Sequence, residues 1–333
     1  MSSQFKYEYN PDLEFVNPDF KGNIVVDGRF SNAEEKRKPS VWKILKWKFS
    51  RNPQAKEKKN SRFKLEIERD LSFSQNNKDV ILWLGQSSFY IRLEGVVYIT
   101  DPILSDLFIQ KRKAESPYSI QELGNIDYVL ISHVHYDHCD IPTLKLIAKH
   151  NPHVEILSPL GATSLLNKKG LKNIKKQEAG WFQKYKTEKN TLCFLPAKHW
   201  SRRSLFDLNK VLWGSFSIAS EKIKIFFAGD TAEDLELFTE VHNVFQGFDY
   251  CLMPIGAYKP SYVMQSEHVS PKEALNVYQV LKGKCFIPMH YATFDLSDEP
   301  LEEPIQYLKQ EAKRMDIADE LCIIPLGKPF YLE

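Results

Sequence analysis

Histidine and aspartate side chains are concentrated in one short stretch of the chain, His133-Val134-His135-Tyr136-Asp137-His138. This stretch directly follows residues 128–132, an apolar run with the length of a strand. In extended backbone, residues 133, 135 and 137 point to one side, and His138 can turn inward where the strand ends. Imidazole nitrogens suit zinc, and a carboxylate adds a harder oxygen ligand. The stretch therefore predicts a metal site rather than a solvated histidine-rich loop.

Three more candidate ligands each follow an apolar strand later in the chain. They are His199 after residues 194–198, Asp230 after residues 225–229, and His290 after residues 286–289. A single histidine in such a place is usually structural, and Gly-Asp-Thr is usually a turn or a helix cap. The carboxyl ends of strands in α/β folds converge on one face, so all these strand ends can meet. We therefore expect the three residues to join the first motif in one site.

The elements that would carry these residues alternate between strands and helices. From residue 79 onward, β-branched and aromatic runs separated by turn signals predict strands, beginning with 80–84, 89–93 and 96–100. Helical patterns follow between the later strands, and the helix at 270–282 begins with Ser270 as N-cap and Pro271 in its first turn. Tight turns between many strand pairs favour mixed sheets with helices outside over a purely parallel sheet.

Length and composition place the chain among globular proteins. Its 333 residues are 43% hydrophobic and 26% charged, and no apolar run approaches the ~18 residues of a membrane helix. The five cysteines form no CxxC pair, and the first residues lack the apolar stretch of an export signal. The expected location is therefore the reducing cytoplasm.

Charge is distributed unevenly along the chain. Residues 36–64 hold twelve Lys or Arg and one acidic residue, so they carry +11, whereas the whole chain carries +2. Within this basic block, Val41–Phe49 mixes aromatics with lysines and predicts a short helix. One interpretation is a segment that lies on an anionic membrane, with Trp42 and Trp47 at headgroup level. The other is a helix packed on the body with its lysines in solvent; nucleic-acid binding would need the same charges but is not expected.

The order of the ligand motifs resembles the metallo-β-lactamase superfamily. Further segments are similar to one family within it, the N-acylphosphatidylethanolamine-hydrolysing phospholipases D. These segments are Trp83-Leu84-Gly85, Thr100-Asp101-Pro102-Ile103, Pro196-Ala197-Lys198-His199-Trp200, Trp213-Gly214-Ser215, Pro254-Ile255-Gly256-Ala257-Tyr258 and His268-Val269-Ser270-Pro271. The resemblance runs in order through residues 79–333, and the stretch before it resembles bacterial relatives of that family.

This resemblance implies an α/β fold: a four-layer αββα sandwich with two zinc ions in residues 79–333, after a basic N-terminal extension in residues 1–78. The family pattern places His133, His135 and His199 on one zinc, Asp137, His138 and His290 on the other, and Asp230 between them. His268 falls where the family has a histidine that faces the substrate phosphate. We expect Asp137 to orient the hydroxide and accept its proton, and His268 either to bind the phosphate or to protonate the leaving oxygen as a general acid.

The expected reaction is hydrolysis of an N-acylated phospholipid to phosphatidate and an N-acylethanolamine by a zinc-activated hydroxide. Two zinc ions, two carboxylates and a hydroxide sum to about +1, which attracts an anionic phosphate. A lactonase, for example for sugar-phosphate lactones, and an RNA-processing nuclease on the same fold are the alternatives. The expected partners are the phospholipid and, through Val41–Phe49, the membrane surface; no nucleic acid is expected, and a homodimer is compatible with the sequence.

Four positions depart from the family pattern. Gln86 stands where relatives commonly have a histidine, and Glu267 stands where the animal enzyme has glutamine. Tyr291-Ala292 replace the Trp-Gly that follows the last ligand in the animal enzyme. None of these changes removes a metal ligand. The changes at Gln86 and at Tyr291-Ala292 bear on how the phosphate or acyl chain is held.

Overall fold

A computed structural model describes residues 5–32, 41–108 and 110–333 of the protein. A small antiparallel sheet at the start contains β1 (Phe5–Glu8), β2 (Asn23–Val26) and β3 (Arg29–Phe30). The first large sheet contains β4 (Val80–Gly85), β5 (Ser88–Leu93), β6 (Val96–Thr100), β7 (Tyr128–Leu130), β8 (Glu155–Pro159) and β9 (Lys175–Ala179), in that order. The second contains β10 (Gln183–Lys184), β11 (Thr191–Leu195), β12 (Ser215–Ala219), β13 (Lys224–Phe227), β14 (Phe248–Pro254) and β15 (Gly283–Met289), also in order. The last strand, β16 (Phe330–Tyr331), returns to the first large sheet and pairs with β4.

The helices of the described ranges lie before, between and after these strands. They are α1 (Val41–Phe49), α2 (Ala55–Asn60), α3 (Ile120–Leu123), α4 (Ile141–His150), α5 (Ala162–Leu166), α6 (Leu235–Phe245), α7 (Ser261–Met264), α8 (Pro271–Val280) and α9 (Glu303–Arg314). Helix α8 begins as its sequence predicts, because Ser270 and Glu273 form a reciprocal capping box.

Strand β4 shows why the sheet strands are continuous apolar runs. Ile81 and Trp83 enter a core between the two large sheets, whereas Leu82 and Leu84 enter a second core that includes Leu144 of α4. Alternate residues of a strand face opposite sides, so a strand between two cores needs apolar side chains at every position. Helices therefore cover the outer face of the first sheet.

The second sheet has the same arrangement on its own outer side. Phe226 of β13 lies in the core, and its ring packs at 6.2 Å against that of Phe238 in α6. Leu275 and Tyr278 of α8 join the same core. The layers therefore run helix, sheet, sheet, helix, which confirms the predicted αββα sandwich.

Residues before position 79 pack on this body. Leu13, Val25 and Phe30 are buried in the same hydrophobic cluster as residues of both large sheets. The helix predicted at Val41–Phe49 is confirmed, whereas the small sheet was not predicted, because its strands are only two to four residues long. Residues 36–40 of the basic block lie outside the described residues, and the domain boundary at residue 78 stays a prediction.

Two features bear on the expected location. In the ranges that the structure describes, no helix has both the length and the apolar character to cross a bilayer. Cys285 and Cys322 form a disulfide, whereas the three other cysteines are free and buried. The sequence analysis did not anticipate this bond, because the two residues are 37 positions apart and no spacing pattern marks them. The cytoplasmic location stays a prediction.

Strand direction explains how distant residues reach one site. β6 and β7 are parallel neighbours in the first sheet, and β13, β14 and β15 are parallel neighbours in the second. Parallel strands end at the same edge of a sheet. In the first sheet, Asp101 follows β6 and His133 follows β7, so both lie at that edge. In the second sheet, Asp230 follows β13 and His290 follows β15, so both lie at the corresponding edge.

Candidate metal centre

Three histidines form the first ligand group. Donor atoms of His133, His135 and His199 lie within 4.8 Å of one another. His135 Nδ1 is 2.8 Å from His133 Nε2 and 3.2 Å from His199 Nε2. His199 Nδ1 donates to the carbonyl oxygen of Glu267 at 2.8 Å, so in the neutral ring its Nε2 carries the lone pair. Three nitrogens therefore converge on one point.

The electrostatics of this group favour neutral rings. Burial lowers the pKa of His133 and of His199 well below the usual value, and that of His135 to about 4. Neighbouring imidazoles lower the pKa of His133 further. Neutral imidazole is the form that coordinates a metal.

The second ligand group mixes carboxylates with histidines. It consists of Asp137, His138, Asp230 and His290, whose donor atoms lie within 4.8 Å. Asp230 Oδ1 is 3.3 Å from His290 Nε2, and Asp137 Oδ2 is 3.3 Å from the same nitrogen. Asp230 Oδ2 lies 3.0 Å from His138 Nε2 and 3.9 Å from both His133 Nε2 and His199 Nε2. Asp230 therefore stands between the two groups.

The backbone before Asp230 explains this position. Gly229 has φ +59°, and a Cβ on it would lie 2.7 Å from Cβ of Ser132. Only glycine can bring the end of β13 this close to the first motif.

Charge in the second group favours a cation. Burial alone would raise the pKa values of Asp137 and Asp230, yet His138 and His290 hold them well below the usual value. Burial alone would lower the pKa of His138, but neighbouring carboxylates, of which Asp230 has the largest effect, raise it well above the usual value. Burial opposes the same effect at His290, where carboxylates led by Asp230 raise the pKa to about 9. The carboxylates therefore stay ionised and attract positive charge.

Unpaired polar atoms test whether metal ions would fit here. His138 Nε2, Asp230 Oδ1 and His290 Nε2 are buried, and among the described residues none of them has a partner in hydrogen-bond geometry. Buried polar atoms without partners are costly, and a bound ion is one way in which a protein satisfies them. Nitrogen and oxygen donors of these types are the set that binds zinc and related divalent ions. The cluster is therefore capable of binding metal ions.

Asp101 supports the cluster from behind, and the sequence analysis assigned it no role. It is fully buried, and its Oδ2 accepts from His138 Nδ1 at 2.7 Å and from Ser132 Oγ. Ser132 Oγ in turn lies 2.9 Å from His133 Nδ1. One carboxylate thus orients a histidine of each group. The available signal was an aspartate directly after an apolar strand.

Replacing Asp101 with asparagine should weaken metal binding without removing a ligand. We expect the metal affinity to fall about 10–100-fold, since a residue that hydrogen-bonds to a metal ligand typically contributes that much. Competition with a chromophoric chelator measures this affinity directly. Asp127→Asn, which removes a carboxylate at the opposite end of β7, is the control; equal affinities for both variants would contradict the role of Asp101.

His268 and Gln86 contact the cluster from outside the two ligand groups; His268 is partly exposed and Gln86 is buried. His268 Nδ1 is 3.8 Å from Asp230 Oδ2, and its ring lies 5.2 Å from that of His199 and 5.6 Å from that of His290. Burial lowers its pKa to about 4, so the ring is neutral at pH 7. Gln86 Nε2 donates to Asp137 Oδ2 at 2.9 Å. The structure thus brings every predicted site residue together.

A cleft of about 370 Å³ opens beside the first group. Its lining includes Trp200, whose ring packs at 4.7 Å against His135, and Arg202. Arg203 also lines it, lies over the ring of Tyr136 at 4.2 Å, and donates to the carbonyl oxygen of Cys139. These arginines were not predicted as site residues, because nothing in their local pattern distinguishes them from surface charge.

Comparison with known proteins agrees with this geometry. The family model of the beta-lactamase superfamily domain matches residues 97–291. A Caenorhabditis elegans protein named N-acyl-phosphatidylethanolamine-hydrolyzing phospholipase D 1 is 32% identical over 72% of this chain and 70% of its own length. A Saccharomyces cerevisiae protein, named as the mitochondrial N-acyl-phosphatidylethanolamine-hydrolyzing phospholipase D, is 34% identical over 74% of this chain. The match spans only 54% of that yeast protein, about half its length.

A solved structure shows the same fold. It is a metallo hydrolase from the hyperthermophilic archaeon Ignicoccus hospitalis, with a TM-score of 0.60 and 19% identity over 77% of this chain and 99% of its own. The family model covers every residue of the two ligand groups, and the match to the nematode relative covers most of both chains. The chain therefore belongs to the metallo-β-lactamase superfamily and is a metal-dependent hydrolase of that fold.

Proposed function

We propose that the chain is a zinc-dependent phosphodiesterase of the phospholipase D type, and that its substrate is an N-acylated phospholipid. The observation that carries this proposal is the place of His268, whose Nδ1 lies with donor atoms of His199 and Asp230 within 4.8 Å. A hydrogen-bond donor at the edge of a two-group cluster suits a phosphate held across both groups. The names of the nematode and yeast relatives support the same substrate class.

Each predicted ligand has a place in this proposal. His133, His135 and His199 would hold one ion, Asp137, His138 and His290 the other, and Asp230 would contact both. Zinc bound there would supply Lewis-acid polarisation of the phosphoryl group and would acidify water at the site.

The side chains of the protein carry the remaining steps. Asp137, oriented by Gln86, accepts the proton of the attacking water. The water oxygen bonds to phosphorus, and the bond from phosphorus to the ethanolamine oxygen breaks. That oxygen takes up the proton that Asp137 accepted, so the products are phosphatidate and the N-acylethanolamine and Asp137 is ionised again. The neutral ring of His268 donates a hydrogen bond to a phosphoryl oxygen and orients the diester.

The cleft beside His135 suits the rest of such a substrate. Arg202 and Arg203 can hold an anionic group, because guanidinium matches phosphate oxygens in shape and charge. Leu205 lines the same cleft and is largely exposed, so it offers apolar surface to an acyl chain.

Phosphatidate release from mixed micelles of N-acylphosphatidylethanolamine tests the proposal. The zinc-loaded chain is incubated in ¹⁸O-water, and mass spectrometry follows the products. We expect phosphatidate that carries one ¹⁸O atom, since water attacks phosphorus, and no phosphatidate from chain stripped by a chelator.

Two alternatives define the contrary result. A lactone and a single-stranded RNA are offered to the same preparation in parallel. Turnover of either one without phosphatidate release would replace the proposed function with a lactonase or a nuclease.

A further inference from the structure

Helix α1 presents an apolar face that nothing in the described residues covers. Trp42 is 81% exposed, Phe49 is 87% exposed, and Leu45 between them is 40% exposed. Positions 42, 45 and 49 follow the i, i+3, i+7 spacing, so these side chains share one face of the helix. Single exposed apolar residues are normal on a protein surface, but a contiguous set marks an interaction surface.

Basic side chains flank this face on both sides. Lys43, Lys46, Lys48 and Arg51 are exposed, and the described residues of α1 include no acidic side chain. An amphipathic helix with aromatic and aliphatic residues on one face and lysines beside it is suited to the headgroup region of an anionic bilayer. A nucleic-acid site would use the lysines but would leave Leu45 and Phe49 without a partner.

The opposite side of α1 is fixed to the body. Trp47 points away from the apolar face and donates through Nε1 to Asp298 Oδ1 at 3.0 Å. Asn52 donates to the carbonyl oxygen of Asp298 at 2.9 Å, and Lys58 of α2 pairs with Asp295. The helix is therefore held in place while Trp42 and Phe49 face outward.

The two aspartates that hold α1 and α2 lie close to a metal-ligand candidate along the chain. Asp295 and Asp298 follow His290 in the loop after β15. Lys46 Nζ lies 5.3 Å from the ring of Tyr262 in α7, which precedes His268 by six positions. A surface bound by α1 would thus lie beside the segments that carry the site.

We propose that the outward face of α1, formed by Trp42, Leu45 and Phe49 with the flanking lysines, docks the protein on an anionic lipid bilayer. The inference rests on the proposed function only for its purpose, since a phospholipid substrate resides in a bilayer. Docking would raise the local concentration of substrate at the site.

Cosedimentation of the full chain with vesicles tests this surface. Vesicles of phosphatidylcholine with phosphatidylglycerol are compared with vesicles of phosphatidylcholine alone, and neither contains an N-acylated phospholipid. We expect the chain to bind the anionic vesicles at low salt, and high salt to weaken this binding. The double variant Trp42→Ala/Phe49→Ala should bind these vesicles at least about tenfold more weakly than the parent chain, because two aromatic anchors are lost.

A matched control removes exposed apolar residues from two other helices. Leu146 of α4 and Leu235 of α6 are about as exposed as Leu45, and the variant Leu146→Ala/Leu235→Ala should bind like the parent chain. Turnover of bis(p-nitrophenyl) phosphate, a water-soluble phosphodiester, is measured for each variant and should not change. This readout separates loss of docking from loss of the fold or of the chemistry.

Three results would overturn the inference. The parent chain does not bind anionic vesicles; the Trp42→Ala/Phe49→Ala variant binds them as well as the parent does; or the variant loses binding to a DNA duplex or to a second copy of the chain instead. Failure of the proposed function would show differently, as vesicle binding without phosphatidate release.

Discussion

Replacing Asp230 with asparagine is expected to remove metal and activity together. Asparagine keeps the size of the side chain but lacks its charge, and Asp230 is the carboxylate that lies between the two ligand groups. Loss of a residue that hydrogen-bonds to a metal ligand typically lowers the metal affinity about 10–100-fold. Loss of a ligand shared by both groups should therefore lower it at least about 100-fold. Metal content after dialysis, measured by inductively coupled plasma mass spectrometry, should fall below that of the parent chain, and phosphodiester turnover should fall with it.

The control for this prediction is Asp249→Asn. Asp249 lies on β14 of the same sheet and pairs with Lys284 at 2.9 Å, away from the site. Its variant should keep the metal content and the turnover of the parent. Circular dichroism verifies that both variants are folded. An Asp230→Asn chain with full metal content and full rate would show that Asp230 does not connect the two groups.

The predicted ligands could be found from sequence because each follows a strand. A buried strand is visible as an apolar run, and the residue after it lies at the edge of the sheet. His133, Asp230 and His290 were identified in this way, and parallel pairing of their strands brings them together. The interleaved strand and helix patterns predicted helices outside mixed sheets, whereas the four-layer order was implied by the family resemblance.

Features without a local pattern could not be found in this way. Asp101 follows a strand as the ligands do, but its supporting role depends on hydrogen bonds to His138 and Ser132 that only the folded structure shows. The contact of Arg203 with Tyr136, and the disulfide between Cys285 and Cys322, join residues 67 and 37 positions apart. Each depends on how distant segments pack, and periodicity in one segment contains no information about that packing.

The outward face of α1 combines both kinds of information. The lysines and tryptophans of α1 are visible in the sequence, which led us to expect both Trp42 and Trp47 at the headgroup level of a membrane. The structure separates them, because Trp47 donates to Asp298 whereas Trp42 is exposed. Of the two tryptophans, only Trp42 is therefore available to a membrane surface.

Replacing His268 with alanine is expected to reduce turnover while leaving the metal content intact. Removing one oriented hydrogen-bond donor typically lowers kcat by about 10²–10³-fold. Because burial holds the pKa of His268 at about 4, we attribute the loss to a missing hydrogen bond rather than to a missing proton donor. His268→Gln, which keeps an N–H group, should recover part of the rate, whereas a proton donor could not be replaced by an amide.

Metal content distinguishes this role from the alternative that the geometry allows. His268 lies within 4.8 Å of donor atoms of His199 and Asp230, so it could itself bind an ion. In that case the alanine variant would lose metal along with its rate. His153→Ala, which removes a histidine that is 52% exposed outside the site, should change neither quantity. A fall in kcat at constant metal content, with partial recovery in the glutamine variant, therefore assigns His268 to the substrate and not to the metal.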